Sequence, residues 1–351
     1  LLEGLLLNER VDTVFHAAAY KHVPLVESNP FSGIYNNVFG TQSILEASIR
    51  VGVKSFTLVS TDKAVRPTNI MGASKRIAEI LCQNAASQEN GTTISMVRFG
   101  NVIGSSGSAI PKFREQINAG GPVTVTHPEM TRYFMGIPEA SQLVLQSSSV
   151  ACGGEVFVLD MGESVRIVDL VNRLIMFSGK TVATEGNRHL NPIEIVYTGL
   201  RPGEKLYEEL LISGDVGSSI HPKIMVLAEH FPQVDDIDRF IKELRVVCEN
   251  RSIEALRSLL SEFDIGYRHN DISSATILEN AVEKKEPRAE VLLGVKDGEL
   301  SLSQKKPKGP QVGINRNKRL EEPAIVPKNG IKKKFFLKLL HKYLLLSRGV
   351  T

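Results

Sequence analysis

Residues 59–79, VSTDKAVRPTNIMGASKRIAE, decide how this sequence is read. The apolar stretch Val53 to Ser60 reads as a strand, and it stops where Thr61, Asp62 and Lys63 begin. Thr68 or Asn69 then caps a helix that runs through Ile80 or beyond. Open α/β sheets bind ligands beyond the carboxyl ends of their strands, so a Thr-Asp-Lys run at such an end stands where a ligand belongs. Met71 and Lys75 are four residues apart, which stacks them on one helix face. Arg76, beside Lys75, reads as a solvated helix residue.

Upstream, Val11 to Ala18 reads as a buried strand and Phe31 to Val51 as a helix ended by Gly52. Downstream, Thr93 to Phe99 reads as the next strand. Strands alternating with helices of this length predict βαβ units and a parallel sheet. The expected fold class is therefore α/β, a Rossmann-like doubly wound parallel sheet. From Gly100 the rhythm breaks into glycines, prolines and short strands. A helix from Pro138 to Val150, a strand from Glu155 to Leu159, a helix from Val168 to Phe177 and one or two helices between Asp235 and Phe263 follow. The division expected is 1–102 as a partial dinucleotide-binding domain with the catalytic segment and 103–267 as a smaller, mainly substrate-binding α/β part. Residues 268–330 read as a disordered linker and 331–351 as a basic amphipathic helix.

Bulk composition fits a soluble globular protein: 351 residues, 42% hydrophobic and 23% charged. No stretch approaches the roughly 20 apolar residues of a membrane span. Cys82, Cys152 and Cys248 are scattered and odd in number, so neither a disulfide framework nor a metal site is expected, and the default setting is cytoplasmic. Charge is unevenly spread. Residues 301–351 hold 13 Lys/Arg against 2 Asp/Glu, while the preceding 300 hold 29 against 37. No nucleic-acid partner is expected. In 331–348, Phe336, Leu339, Leu340 and Tyr343 share a face opposite Lys338, His341 and Lys342. Such a helix lies on an anionic membrane surface, here the cytoplasmic face of the inner membrane, or packs on the body or a partner.

The central block resembles the active-site region of extended short-chain dehydrogenases/reductases, and within them the CapD-like polysaccharide-biosynthesis proteins, which are UDP-N-acetylhexosamine 4,6-dehydratases. The family pattern is present as Thr61-Asp62-Lys63 followed by Met71-Gly72-Ala73-Ser74-Lys75. It extends to His16-Ala17-Ala18, Asn37-Val38-Phe39-Gly40-Thr41, Arg98-Phe99-Gly100-Asn101-Val102, Met130-Thr131-Arg132-Tyr133 and Arg201-Pro202-Gly203-Glu204-Lys205, covering roughly 11–211 and more weakly to about 267.

That resemblance implies a reaction and a set of roles. NAD, tightly bound and regenerated in each cycle, oxidises C4 of the sugar. The C4 ketone acidifies the C5 proton, water leaves across C5–C6, and C6 is reduced. By resemblance Lys63 is the C5 base, Asp62 the C6 acid, and Thr61 holds the 4-hydroxyl. Lysine serves as a base where desolvation or nearby cations lower its pKa, and a carboxylic acid serves as an acid where burial raises it. Lys75 would bind the nicotinamide ribose, and His16, Ala17, Ala18, Asn37 and Ser60 would border the cofactor. Asn101, Arg132, Arg201 and Glu204 would hold the UDP-sugar, the arginines by charge-assisted bonds to the diphosphate.

Met71 departs from the tyrosine of most short-chain dehydrogenases, and a thioether is no proton acceptor. It resembles a long, membrane-associated subclass, in which Asp62, Thr61 or water must take the 4-hydroxyl proton. Such a fold also opens on a glycine-rich turn and an acidic ribose partner, and nothing before Val11 supplies them. The expectation is thus an N-terminally truncated sheet lacking its first strands. A non-catalytic remnant or binding protein and a nucleotide-sugar epimerase stand as alternatives, and a homo-oligomer is left open.

Overall fold

The computed structural model describes residues 1–184, 186–187, 192–210, 216–219, 221–227 and 234–268. The expected linker, beyond its first residue, and the expected basic helix at 331–351 lie outside the described residues.

Six strands form the main sheet: β1 (Thr13–His16), β2 (Ser55–Val59), β3 (Thr93–Arg98), β8 (Val156–Leu159), β12 (Ile224–Leu227) and β11 (Val216–Ser218), adjacent in that order. β1, β2, β3 and β8 run parallel, while β12 is antiparallel to β8 and β11 to β12. β2, β3 and β8 are short apolar runs because helices cover both faces, whereas β1, expected as a buried strand, is half-exposed at the edge of the sheet. Phe56, Leu58, Ile94, Met96, Val156 and Val158 are all fully buried in one core beneath them. Because β8 and β12 belong to this sheet, residues past 103 help complete the layer begun by residues 1–102.

Before β1 comes α1 (Leu2–Asn8). Between β1 and β2 lie α2 (Val23–Ser28), α3 (Pro30–Ile34), a π-helical turn (Tyr35–Phe39) and α4 (Gly40–Arg50). The single helix expected at 31–51 is thus a helical run carrying a π bulge, a feature often found at functional sites. Helix α5 (Ile70–Ala86) joins β2 to β3 and buries residues 70–83 on every side. Its second cover is α9 (Val234–Asn250) and α10 (Ile253–Glu262), which bring Ile237, Phe240, Ile241, Leu244, Leu256 and Leu260 against Ile70, Met71 and Ile77. The Arg245 guanidinium lies 4.1 Å from the centre of the Phe39 ring.

This second cover corrects the reading of Arg76. It is 6% exposed and ion-paired to Glu79 at 3.1 Å, because a third layer of helices removes the solvent that an amphipathic α5 would otherwise face.

The remaining elements form a lobe at the carboxyl end of the sheet. They are β4 (Asn101–Ile103), α6 (Ala109–Asn118), β5 (Val123–Val125), β6 (Thr131–Arg132), β7 (Phe134–Gly136), β9 (Val165–Arg166), α8 (Ile167–Phe177) and β10 (Ile195–Tyr197), whereas α7 (Ile137–Val150) packs on β2, β3 and β8 of the main sheet. Small two-stranded sheets join β4 to β7, β5 to β10 and β6 to β9. Phe113, Ile117, Val123, Val171, Ile175 and Ile193 make its own apolar core. Among the described residues no helix is long and apolar enough to cross a membrane.

Candidate active site

β2 delivers its last residue, Val59, to the carboxyl edge of the sheet, and a 3-10 turn (Asp62–Ala64) follows at once. The turn is held by Thr61, whose Oγ1 accepts from Lys63 N at 3.4 Å, and by Asp62 N donating to Phe99 O at 3.1 Å. Asn69 caps α5, its Oδ1 accepting from Gly72 N at 2.8 Å, which settles the choice between Thr68 and Asn69. Gly72 is required by close approach: a Cβ there would lie 2.3 Å from Lys63 O. The absent side chain lets α5 press against the turn, setting Met71 and Lys75 beside Thr61 and Lys63.

These residues line a cavity of about 530 Å³ between the sheet edge and the lobe, within the range of small-molecule sites. Lys21, Lys63, Lys75, Lys112, Arg132 and Arg201 give its wall positive charge, with Glu204 as an acidic residue on it. Ser60, Thr61, Met71, Asn101 and Ala17 also line it. Lys21 and His22 are also on this wall, and burial lowers the pKa of each, with Lys21 adding to the effect on His22.

Asp62 is fully buried. Its Oδ1 accepts from Thr61 Oγ1 at 2.8 Å and from Lys63 Nζ at 2.8 Å, while Oδ2 is buried without a hydrogen-bond partner. Lys63 Nζ also donates to Asn101 Oδ1 at 3.4 Å and lies 3.7 Å from Glu208 Oε1. Burial by itself would lower the Lys63 pKa. The charges of Asp62 and then Glu208, with the Asp62 hydrogen bond, outweigh burial and the opposing charge of Arg132, so Lys63 sits above the ordinary lysine value. This corrects the expectation of a depressed base: in the resting site Lys63 is an ammonium donor.

Lys75 shows the opposite balance. Its Nζ donates to Val59 O at 2.7 Å, and burial brings its pKa down to about 8 against a weaker upward pull from Glu79. Below it, Glu79 accepts two bonds from Arg98, at 2.8 and 2.7 Å, one from Arg76 at 3.1 Å and one from Ser60 Oγ at 2.5 Å. Burial opposes ionisation of Glu79, but Arg98, Arg76 and the Ser60 hydroxyl overcome it and hold its pKa at about 2. Ser60 thus spends its proton on Glu79 while edging the cavity.

His16 Nε2 meets Thr41 Oγ1 at 2.8 Å, and Thr41 gives its own proton to Asn37 O at 2.7 Å, so Nε2 is the donor. Burial, then the charge of Lys75, lowers the His16 pKa to about 4, leaving it neutral at pH 7. Asn37 is buried, with Nδ2 donating to Tyr20 O and Ser74 Oγ and Oδ1 accepting from Tyr20 N. It ties the chain after β1 to α5 and is not on the cavity wall. Ala18 is exposed, and its neighbours Ala17 and Ala19 are the ones on that wall.

Arg132 is buried and spends its guanidinium on the carbonyls of Thr131, Leu206 and Lys205, with Glu204 at 3.8 Å and Glu208 at 3.7 Å. Gly203, at φ +73°, packs so tightly on Asn69 that a Cβ would fall 2.7 Å from the Asn69 Cβ, and Asn69 Nδ2 donates to Gly203 O at 2.9 Å. That seam brings Glu208 to Lys63. Glu208 was absent from the sequence reading, which chose Glu204 from the motif 201–205 that precedes it. Its pKa is raised by burial and by Asp62, against Lys63, Arg132 and Lys205.

The family model for polysaccharide biosynthesis protein matches residues 1–229. This chain belongs to the polysaccharide biosynthesis protein family. Within the family it is 51% identical over 236 residues to the capsular polysaccharide biosynthesis protein CapD of Staphylococcus aureus, covering 66% of this chain and 37% of that protein. It is 35% identical over 210 residues to the inverting UDP-N-acetylglucosamine 4,6-dehydratase of Campylobacter jejuni, covering 58% of each. It is 37% identical over 211 residues to a UDP-glucose 4-epimerase of Rickettsia canadensis, covering 60% of this chain and 58% of that protein. The X-ray structure of Pen from Bacillus thuringiensis superposes with a TM-score of 0.57 at 32% identity, over 70% of this chain and 78% of that one. The chain spans roughly a third of the length of the CapD relative, so it shares that relative's family while its own reaction is a separate question.

Proposed function

We propose that this chain carries the catalytic part of an NAD-dependent dehydratase that converts a UDP-N-acetylhexosamine, taken as UDP-N-acetylglucosamine, to its 4-keto-6-deoxy derivative for bacterial polysaccharide synthesis. The observation that carries the reading is the Asp62–Lys63 pair, hydrogen-bonded at 2.8 Å, with Lys63 on the wall of a cationic cavity and Asp62 buried behind it. Loss of water across C5–C6 needs a base and an acid side by side, whereas a change of configuration at C4 needs neither at those carbons.

The nicotinamide end of NAD fits the residues present. Lys75 is a buried cation on the cavity wall with one hydrogen bond in use, and Ala17 and Ala19 leave room at the end of β1. When bound, NAD supplies the reversible two-electron oxidation on which dehydration depends. Lys75 would hold its ribose hydroxyls. The Thr61 hydroxyl, already donating to Asp62, would pass the 4-hydroxyl proton to that carboxylate. Asp62 would then carry the proton that the departing C6 oxygen needs, and Lys63 as the free amine would remove the C5 proton. This route gives Met71 no proton to handle, which agrees with its chemistry. Arg201, Lys112, Asn101 and Glu204 would bind the UDP-sugar. The proposed setting is the cytoplasm, with the basic segment 331–351 as a contact to the membrane surface.

The test is incubation with UDP-N-acetylglucosamine and NAD of this chain, alone and extended at its N-terminus by a glycine-rich strand–turn–helix. Product is followed by mass spectrometry for loss of one water. A 4-keto-6-deoxy sugar supports the reading. The 4-epimer in its place would establish the epimerase alternative, which the Rickettsia relative favours. No product from either protein overturns the reading.

A further inference from the structure

Glu208 sits in the reacting cluster yet has no part in the reaction as drawn. Its Oε1 lies 3.7 Å from Lys63 Nζ and 3.7 Å from Arg132 Nη2, and its Oε2 is buried without any hydrogen-bond partner. A buried carboxylate oxygen with no donor is costly while the group is charged, and protonation removes most of that cost. The site therefore contains a place that favours one more proton. It also contains a group, the Lys63 ammonium, that must lose one before it can act.

We propose that Glu208 is the positioning residue of the base, receiving from Lys63 the proton that Lys63 must give up before it attacks C5. The inference rests on the dehydratase reading for the reaction, and the exchange itself belongs to the protein alone. The groups facing the pair are Asp62 from the turn after β2, Arg132 from β6, and Glu204 and Lys205 from the segment that carries Glu208. Moving one proton from Lys63 to Glu208 replaces an ammonium and a carboxylate by an amine and an acid, so the net charge of the cluster is unchanged. The contact closes from 3.7 Å to charge-assisted hydrogen-bond length, about 2.8 Å, for the transfer.

Every proton then has an origin and a destination. The 4-hydroxyl proton passes through Thr61 to Asp62 and leaves on the C6 oxygen as water. The C5 proton would join the Lys63 amine, the ammonium so formed would trade protons with solvent, and Lys63 would give one proton back to C5 when C6 is reduced by the two electrons withdrawn from C4. Glu208 finally returns its proton to Lys63. Because Lys63 is freed within the cluster, the step requires no loss of a proton to solvent.

The experiment compares the protein with Glu208→Gln, Glu208→Asp and, as a control on the adjacent residue, Glu209→Gln. Lys63 is labelled with a limiting acylating reagent across pH and its peptide quantified by mass spectrometry. In Glu208→Gln, Lys63 should label about tenfold faster at a given pH below its midpoint, since a carboxylate no longer holds its proton; Glu209→Gln should leave the curve in place. Turnover of UDP-N-acetylglucosamine should be nearly flat in pH around neutrality for the protein and for Glu208→Asp. For Glu208→Gln it should climb toward tenfold per pH step, because Lys63 must then lose its proton to solvent. A purely structural role would lower turnover equally at every pH. An unchanged labelling curve with an unchanged pH profile overturns the proposal while leaving the dehydratase reading intact. If no protein makes the keto sugar, that reading fails, and labelling alone decides whether Glu208 governs Lys63.

Discussion

Two buried ionic clusters lie on either side of the β2 edge, and they are built to opposite ends. The Glu79 cluster is closed: Arg98, Arg76 and Ser60 fill both carboxylate oxygens, and Glu79 and Arg98 are fully buried. The Asp62–Lys63–Glu208–Arg132 cluster is open: Asp62 Oδ2 and Glu208 Oε2 lack partners, and Lys63 keeps 18% of its side chain exposed toward the cavity. A satisfied carboxylate is locked in one charge state and serves the fold. An unsatisfied one can exchange protons and serves chemistry.

The sharpest way to break the contrast is Lys63→Ala. It should abolish solvent exchange of the C5 proton and lower turnover by about 10²–10⁴-fold, the scale of a lost general base. Retained exchange would remove Lys63 from the role. In the closed cluster, Arg98→Leu should act on stability instead, leaving buried Glu79 with only Arg76 and the Ser60 hydroxyl against its charge, at a cost of about 3–5 kcal/mol in denaturant unfolding. A loss within experimental scatter would mean that the cluster does not hold α5 to β3.

Acid should separate the clusters further. The Glu79 pKa falls from 4.5 to about 2 on folding. Its contribution is present above the unfolded value and is lost as pH falls from about 4.5 to about 2, a change on the order of 3 kcal/mol. Unfolding followed across that window should show the slope, and Glu79→Gln should flatten it. Lys75, with a pKa of about 8, should lose its charge within reach of ordinary buffers. NAD affinity, read by fluorescence, should decline as pH rises through about 8, and Lys75→Arg should remove the decline. The smallest effect is expected from Met71→Leu, a swap of similar volume in a packed site, with under about 1.5 kcal/mol lost in stability and turnover within tenfold. A collapse of turnover would show that the sulfur is needed.

Much of the frame was legible in the chain. The strands ending at Val59 and Arg98 and the helices ending at Val150 and Phe177 fall within one or two residues of where apolar periodicity put them, because local backbone preference and burial pattern act together there. Arg76 was misread because nothing in 70–86 records that α9 and α10, some 160 residues later, cover it. Glu208 was missed because Glu208 and Glu209 are adjacent and chemically alike in sequence. Only the seam at Gly203 and Asn69 aims one at Lys63, while the other pairs with Arg66 at 3.4 Å.

By itself the sequence determined what is local: the β2–turn–α5 unit, the adjacency of Asp62 and Lys63, and the helical spacing that sets Met71 and Lys75 on one face. Those depend on bond geometry and a periodicity of a few residues. Only the tertiary structure decided charge. Lys63 is raised and Lys75 lowered although both are lysines lining one cavity, because desolvation and Coulomb interactions depend on which distant groups pack within a few ångströms. Glu208 stands 145 residues from Lys63 in the chain and 3.7 Å from it in space, and its charge, after that of Asp62, raises the proton affinity of the residue proposed as the base.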